Sequence, residues 1–149
     1  MAYDFFVGRL QCPSCSAVAA ADSATNMQTY LRGEDADLEE LGIGHPVSVS
    51  PEAVEAANYW LIQQPQPGGV IQLLDSWTCP SCNRDGLWAR ITLRDGCIAD
   101  VAAVPLDRGT LAGAHYISRW GEYVAADLLG CPPADLMGTD PVPILREKL

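Results

Sequence analysis

The sequence predicts an α+β fold, a mainly antiparallel sheet with two principal helices, and three observations support it. Two apolar segments, "LWARITL" and "CIADVAAVPL", flank an Arg-Asp-Gly triplet at 94–96, which is a strong β-hairpin signal. A Ser-Pro pair at 50–51 precedes the apolar periodicity of "PEAVEAANYWLIQQ", as an N-cap and a first helical residue do. The tetrapeptide CPSC occurs twice, at 12–15 and 79–82, and each copy follows a strand-like segment.

The N-terminal third predicts short strands joined by polar loops. "YDFFVGRLQC" has the composition of a strand that enters the first CPSC, and "MQTYLR" that of a second strand. Between them, "SAVAAADSATN" is compatible with a short helix or a loop. Residues 34–40 contain five acids, which predicts a solvated surface loop.

The middle of the chain predicts one strand and the first helix. "PVSVS" alternates at Val47 and Val49, as a short strand does. The helix that follows should begin at Pro51 and continue through "WLIQQ", because Pro65 and Pro67 in "PQPGG" cannot extend it. "VIQLLDSWTC" then predicts a strand that enters the second CPSC.

The C-terminal part predicts the second helix and a packed tail. Trp120, Val124 and Leu128 recur at helical spacing, Tyr123 widens this apolar stripe, and Asp127 interrupts it. Gly130 stands where a helix C-terminal glycine belongs, and the Cys-Pro-Pro that follows ends the helix. The tail "PVPILREKL" is expected to pack through its apolar residues Val142, Ile144 and Leu145.

Composition and net charge indicate a globular protein and the charge of its favoured partners. The 149 residues are 48% hydrophobic and 19% charged, which predicts a single globular domain over residues 1–149. The net charge is −10, so nucleic acid is an unfavoured partner and a basic protein a favoured one. Neither a signal peptide nor a membrane span is apparent, which predicts a cytoplasmic location.

The two CPSC segments predict one zinc site. Zinc binds four thiolates in a tetrahedron, and each Cys-x-x-Cys turn supplies two of them from one tight loop. In a reducing compartment such cysteines are more often metal ligands or catalytic thiols than disulfides. Cys12, Cys15, Cys79 and Cys82 are therefore the predicted ligands of a structural Zn²⁺.

The two CPSC segments, 12–15 and 79–82, are called knuckles below. Together with their flanking strands they resemble the zinc-ribbon class. The resemblance implies ribbon strands at about 2–15 and 70–106, with a strand–helix insertion at about 16–69 and a C-terminal helix and tail at about 107–149. The chain departs from the usual pattern because 63 residues, 16–78, separate the knuckles instead of about 15–20. Loop-closure entropy grows slowly with length, so a folded insertion is tolerable.

A redox role is the alternative for these cysteines. "SWTCPSC" is partly similar to a thioredoxin-like Trp-Cys-x-x-Cys, whose reactive cysteine lies at a helix N-terminus. Here Thr78 stands between the tryptophan and Cys79, and "NRDG" favours a turn over a helix. The remaining two, Cys97 and Cys131, are expected to be small buried hydrophobic residues.

Other residue types give weaker signals. His45 and His115 lack ligand-spaced partners, so structural or surface roles are expected unless His115, Glu122 and Asp107 meet in a cleft. Trp77 and Trp88 flank the second knuckle and could shield a metal from water.

Three functional hypotheses follow. The leading one is a non-catalytic, acidic, zinc-stabilised domain that binds another protein, of the inhibitor or immunity type against a basic partner. An enzyme with an active site away from the zinc is the second, and a nucleic-acid-binding zinc ribbon is the third.

Overall fold

The computed structural model describes residues 3–33, 38–48 and 50–149. Within these ranges the fold is mixed α+β with mostly antiparallel sheets, as predicted. The strands in chain order are β1 Asp4–Phe6, β2 Leu10–Gln11, β3 Val18–Ala19, β4 Met27–Thr29, β5 Glu40–Leu41, β6 Tyr59–Leu61, β7 Ile71–Trp77, β8 Leu87–Arg94, β9 Cys97–Val104 and β10 Tyr116–Ser118. The α-helices are α1 Pro51–Ala56, α2 Arg108–Ala112, α3 Gly121–Leu129 and α4 Val142–Lys148, and 3₁₀ turns lie at Ser23–Thr25 and Pro133–Leu136.

The largest sheet has five strands in the order β6-β10-β7-β8-β9. All of its neighbours pair antiparallel except β10 and β7, which are parallel. A three-stranded sheet, β4-β1-β5, and a two-stranded ribbon, β2-β3, complete the fold. The hairpin predicted at 94–96 joins β8 and β9, and its loop residues Asp95 and Gly96 have φ values of 52° and 76°. These values are those of a type I′ turn, which matches the right-handed twist of the strands.

Both faces of the five-stranded sheet are covered. Because side chains alternate along a strand, Leu73 and Trp77 of β7 belong to one core cluster and Leu74 to the other. The first cluster includes the small-sheet residues Phe6 and Leu41. The second lies under the C-terminal helices and consists largely of buried aliphatic residues and one tryptophan, Ile62, Leu74, Trp88, Leu111, Ala114, Ile117, Ala125, Val142 and Leu145.

The first helix begins where predicted and ends earlier. Ser50 caps α1 by accepting a hydrogen bond from the N–H of Ala53 at 3.2 Å. The helix ends at Ala56, and Asn58 takes a left-handed conformation with φ of 67°. Residues 59–61 then form β6, because pairing with β10 satisfies their backbone groups and the aromatic side chains suit a strand. The predicted helix over "YWLIQQ" is therefore wrong.

The second helix is confirmed, but its buried face is not the predicted one. The buried residues of α3 include Glu122, Ala125 and Ala126, whereas Leu128 is exposed. Small residues allow the helix to pack close to the sheet, and a Cβ at Gly121 would lie only 3.2 Å from Ile117 Cδ1. Of the predicted stripe, Trp120 and Val124 are partly buried and pack against the second core cluster, whereas Tyr123 and Leu128 are exposed. Gly130 ends the helix with φ of 69°, as predicted.

Several smaller predictions have mixed outcomes. The strands "MQTYLR" and "VIQLLDSWTC" are confirmed as β4 and β7, and the tail packs as α4. Helix α2 and strand β10 have no counterpart in the sequence prediction. "SAVAAADSATN" contains β3 and a 3₁₀ turn. Residues 34–37 of the acidic loop and Val49 of the predicted "PVSVS" strand lie outside the described residues.

A buried polar network joins the small sheet to the large one. The Tyr59 hydroxyl donates to Asp75 Oδ2 at 2.7 Å and lies 3.1 Å from the hydroxyl of Thr29. Asp75 is fully buried and also accepts a hydrogen bond from the N–H of Ser76 at 2.9 Å. Loss of hydration raises the pKa of Asp75 to about 7, against the opposing effect of the Tyr59 hydrogen bond.

We expect Asp75 to make stability fall with rising pH. The unfolded chain releases this proton near pH 3.8 and the folded protein near 7, so ionisation favours unfolding throughout that window. Between pH 5 and 7.5 the wild type should lose about 2–3 kcal/mol relative to Asp75→Asn in urea unfolding. The exposed Asp100→Asn is the control. An equal pH slope in all three proteins would contradict the assignment.

Gly8 is predicted to be essential for close packing against β9. A Cβ there would lie 2.7 Å from Val101 Cγ1 and 2.8 Å from Val101 Cβ, which leaves no room without a backbone shift. Gly8→Ala should lower the free energy of unfolding by about 1–3 kcal/mol. Gly109→Ala, where the nearest atom to the Cβ is 3.6 Å away, should be neutral or stabilising. Adding Val101→Ala should restore part of the loss, and a fully stable Gly8→Ala would contradict the packing argument.

Candidate metal centre

The two CPSC segments fold into the same turn. In the first, the Cys12 N–H donates to Ala17 O at 2.9 Å, and the Ser16 N–H donates back to Cys12 O at 2.9 Å. In the second, the Cys79 N–H donates to Arg84 O and the Asn83 N–H donates back to Cys79 O, both at 2.8 Å. Ser16 and Asn83 both have positive φ, 64° and 61°. The repeated tetrapeptide therefore encodes a repeated backbone geometry.

The four sulfurs of these turns lie together. Cys12 Sγ is 3.8 Å from Cys82 Sγ, Cys15 Sγ is 3.6 Å from Cys79 Sγ, and all four atoms lie within 4.8 Å of one another. Sulfurs bound to one tetrahedral ion at about 2.3 Å are about 3.8 Å apart, whereas disulfide sulfurs are about 2.05 Å apart. The cluster therefore fits a single metal ion and does not have disulfide geometry.

The first cysteine of each turn is buried and the second is exposed. Cys12 and Cys79 are each 1% exposed and belong to the same core cluster as Trp77. Trp77 donates its indole N–H to Trp88 O at 3.1 Å, but the Trp88 side chain lies in the cluster on the other face of the sheet. Trp77 thus shares a core cluster with the buried cysteines and the Trp88 side chain does not, and shielding of a metal by tryptophan stays a prediction.

Two further hydrogen bonds hold the turns in place. The Thr78 N–H donates to Thr25 O at 2.9 Å, which ties the residue before the second turn to the 3₁₀ turn of the insertion. The guanidinium of Arg84 donates to the hydroxyl of Ser14 and so joins the two turns directly. The insertion and both turns therefore form one connected unit.

Backbone N–H groups favour thiolates at the buried positions. Hydrogen bonds from the N–H groups of Cys15 and Ser14 lower the pKa of Cys12 to about 6, although loss of hydration opposes them. Equivalent N–H groups of Cys82 and Ser81 lower the pKa of Cys79. For Cys15 the Ala17 N–H also lowers the pKa, but loss of hydration and the neighbouring thiols together raise it to about 11. Thiolates are thus favoured at the two buried sulfurs, Cys12 and Cys79, relative to Cys15.

Cys97 and Cys131 are not fully buried, contrary to prediction. Both are partly exposed, and the Cys97 thiol donates to Arg94 O at 3.3 Å. Cys97 begins β9 beside the hairpin turn, and Cys131 follows the last turn of α3, so neither enters the core as the strand and helix residues do.

The two histidines have separate structural environments. His45 Nε2 is 3.0 Å from Glu39 Oε2, and its Nδ1 is 2.9 Å from Pro46 O. His115 Nδ1 accepts the Gln72 N–H at 2.9 Å, and loss of hydration lowers its pKa.

The two acids considered with His115 have their own partners. Asp107 caps α2 through the Thr110 N–H at 2.8 Å, while Glu122 accepts the Gly138 N–H at 3.0 Å. Hydrogen bonds from Thr110 lower the pKa of Asp107. The contacts of His115, Asp107 and Glu122 are thus made with different parts of the chain, and they do not indicate a shared acid–base centre.

A groove begins at the knuckles and runs along α3. Its volume is about 820 Å³, and the knuckle residues Pro13 and Arg84 lie at one end. Apolar and aromatic side chains line most of it, namely Trp77, Leu87, Trp88, Val104, Leu106, Tyr123 and Val124. Two carboxylates, Asp85 and Asp127, stand among them. The groove has no counterpart among the sequence predictions. The one indication of it was the apolar stripe of α3 interrupted by Asp127, because Tyr123, Val124 and Asp127 line the groove.

No protein-family model, curated protein or solved structure matches this chain. In the described ranges, no helix combines the length and the apolar character that crossing a membrane would require. Function must therefore be inferred from the cysteine cluster, the groove and the charge of this chain itself.

We expect one metal ion per chain, lost when a knuckle cysteine is replaced. Cys12→Ser and Cys79→Ser each remove a buried ligand, so elemental analysis should find less than one-tenth of the wild-type metal. Cys97→Ser is the matched control, because its thiol bonds Arg94 O and lies outside the cluster. A metal-free wild type whose six thiols all react freely would contradict the site.

Proposed function

We propose that this chain is a non-catalytic protein-binding module, stabilised by a structural Zn²⁺ and specific for a basic partner. Four thiolates complete the coordination of a structural zinc and leave no open position for water or substrate. The sulfur spacing described above supports this role, as does the similarity of the two turns to zinc-ribbon knuckles. Zinc is expected over other metals because it favours tetrahedral thiolate sites and has no redox chemistry.

The groove beside the knuckles is the observation that carries the binding role. It presents aromatic and aliphatic side chains in a concave surface, as sites that receive a partner's apolar residues do. Tyr123 remains 43% exposed, although burial of an aromatic side chain of this size would contribute favourable free energy to a core or an interface. A partner segment seated in the groove would bury it.

Charge supports the choice of a basic partner. The chain carries nineteen acids and nine bases, and Asp85 and Asp127 place two carboxylates among the apolar groups of the groove. Arg84 also lines the groove, but its guanidinium already donates a hydrogen bond to the Ser14 hydroxyl of the other turn. Complementary charge increases the association rate and gives a complex that weakens in salt.

The test is capture of a partner from the native host, followed by affinity measurement with the purified pair. Val124→Arg places a long cation in the groove and should weaken binding at least about tenfold, because it blocks apolar contacts and repels a basic segment. Ile43→Arg is the control, since Ile43 is 66% exposed and does not line the groove. Raising NaCl from about 0.1 to 0.5 M should also weaken the complex.

Two results would contradict this function. One is a partner that binds Val124→Arg and the wild type equally, which would place the interface elsewhere. The other is a complex that is insensitive to salt, which would exclude charge complementarity as its basis. Elemental analysis of the same protein should identify zinc, and a different metal at one ion per chain would overturn the zinc assignment alone.

A further inference from the structure

A second cavity shares Tyr123 with the groove. Its volume is about 460 Å³, and Tyr123 lines both spaces. The helix N-terminus of α3, the β6 segment and the loop at Gly138 surround it. Like the groove, it combines carboxylates with aromatic rings, but one of its carboxylates, Glu122, is buried, whereas Asp85 and Asp127 of the groove are exposed.

The most informative residue of this cavity is Glu122. It is only 8% exposed, yet it lines the cavity, and its Oε1 accepts a hydrogen bond from the Gly138 N–H at 3.0 Å. The ion pairs of the described residues join Arg32 and His45 to acids near the N-terminus, so none involves Glu122. A buried carboxylate without a cation is costly, which makes this position a receptor for positive charge.

The remaining lining residues suit an organic cation. Tyr59, Trp60 and Tyr123 provide aromatic rings, and Glu55 adds a second carboxylate at the exposed side. Aromatic faces attract guanidinium and ammonium groups, most strongly where water is excluded. The one cation of the lining, Arg119, has its Cζ 5.2 Å from the centre of the Trp120 ring, so it already occupies an aromatic face.

We infer that this cavity binds an arginine side chain, held by Glu122 and the surrounding aromatic rings. A guanidinium is planar, can donate two hydrogen bonds to one carboxylate and stacks on aromatic rings, which an ammonium does less well. The inference rests on the proposed function for the source of the arginine, a segment of the basic partner. That segment would place apolar residues in the groove and its arginine in the cavity.

The cavity can be tested without the partner. The probe is N-acetyl-arginine amide, titrated into the ¹⁵N-labelled, metal-loaded full chain and followed by NMR. N-acetyl-citrulline amide is the neutral probe of nearly the same shape. Arginine amide should give saturable shifts at Asn58, Tyr123 and Gly138, with a dissociation constant on the order of millimolar for so small a ligand. Citrulline amide should bind at least about tenfold more weakly.

Variants assign the binding to Glu122. Glu122→Gln keeps an oxygen for the Gly138 N–H and removes the charge, so it should fold and bind arginine amide about tenfold more weakly. Glu55→Gln, at the exposed side, should weaken binding less and serves if Glu122→Gln does not fold. Glu147→Gln, an exposed glutamate on α4, should bind like the wild type.

The outcomes separate this inference from the proposed function. Equal binding of the two probes, or an equal effect of Glu147→Gln and Glu122→Gln, would overturn the arginine site. Loss of partner capture by Val124→Arg together with failure of the arginine probe would leave the protein-binding function standing without this site. Specific arginine binding by a chain whose groove variants do not affect any complex would keep the site and refute the function.

Discussion

The cluster of four cysteines is the constraint on which the remaining structure depends. It joins two turns separated by 63 residues, and the two buried sulfurs, on Cys12 and Cys79, lie within the larger hydrophobic core. Thiols brought this close repel one another as they ionise, and a bound cation removes that repulsion. Binding of a metal ion at this cluster would therefore be coupled to closing the insertion against the five-stranded sheet, because the same turns connect to Thr25 and to the start of β8.

The position of the cluster also indicates how the proposed structural metal would influence the proposed partner binding without taking part in chemistry. The second turn lies between β7 and β8, and the residues that follow it, Arg84 to Trp88, form one end of the groove. Fixing this turn fixes the groove wall relative to α3. A site on rigid elements loses less entropy when a partner binds than a site on loops.

The packing of α3 links the core to the binding surface. Ala125 and Ala126 are buried, and this close packing leaves the larger Tyr123 and Val124 to line the groove. The same orientation of the helix places Glu122, beside Tyr123, in the lining of the cavity. Helix α3 thus contributes Tyr123 to both spaces, Asp127 to the groove and Glu122 to the cavity. Because the two spaces share Tyr123, the proposed partner segment, apolar residues followed by an arginine, would occupy both of them.

Features that depend on local chemistry could be predicted from the amino-acid sequence. The Asp-Gly hairpin, the Ser50 cap, the Gly130 helix end and the two Cys-x-x-Cys turns each follow from residues within a few positions of one another. Tertiary contacts set the end of α1, where pairing of β6 with β10 overrode the helical pattern. They also set which residues of α3 are buried, placed the groove beside the cysteine turns and made Tyr123 part of both the groove and the cavity. These outcomes depend on contacts between segments that are distant in the sequence. The free energy of burial in such contacts overrides local helix and strand propensities, and a local sequence pattern carries no information about it.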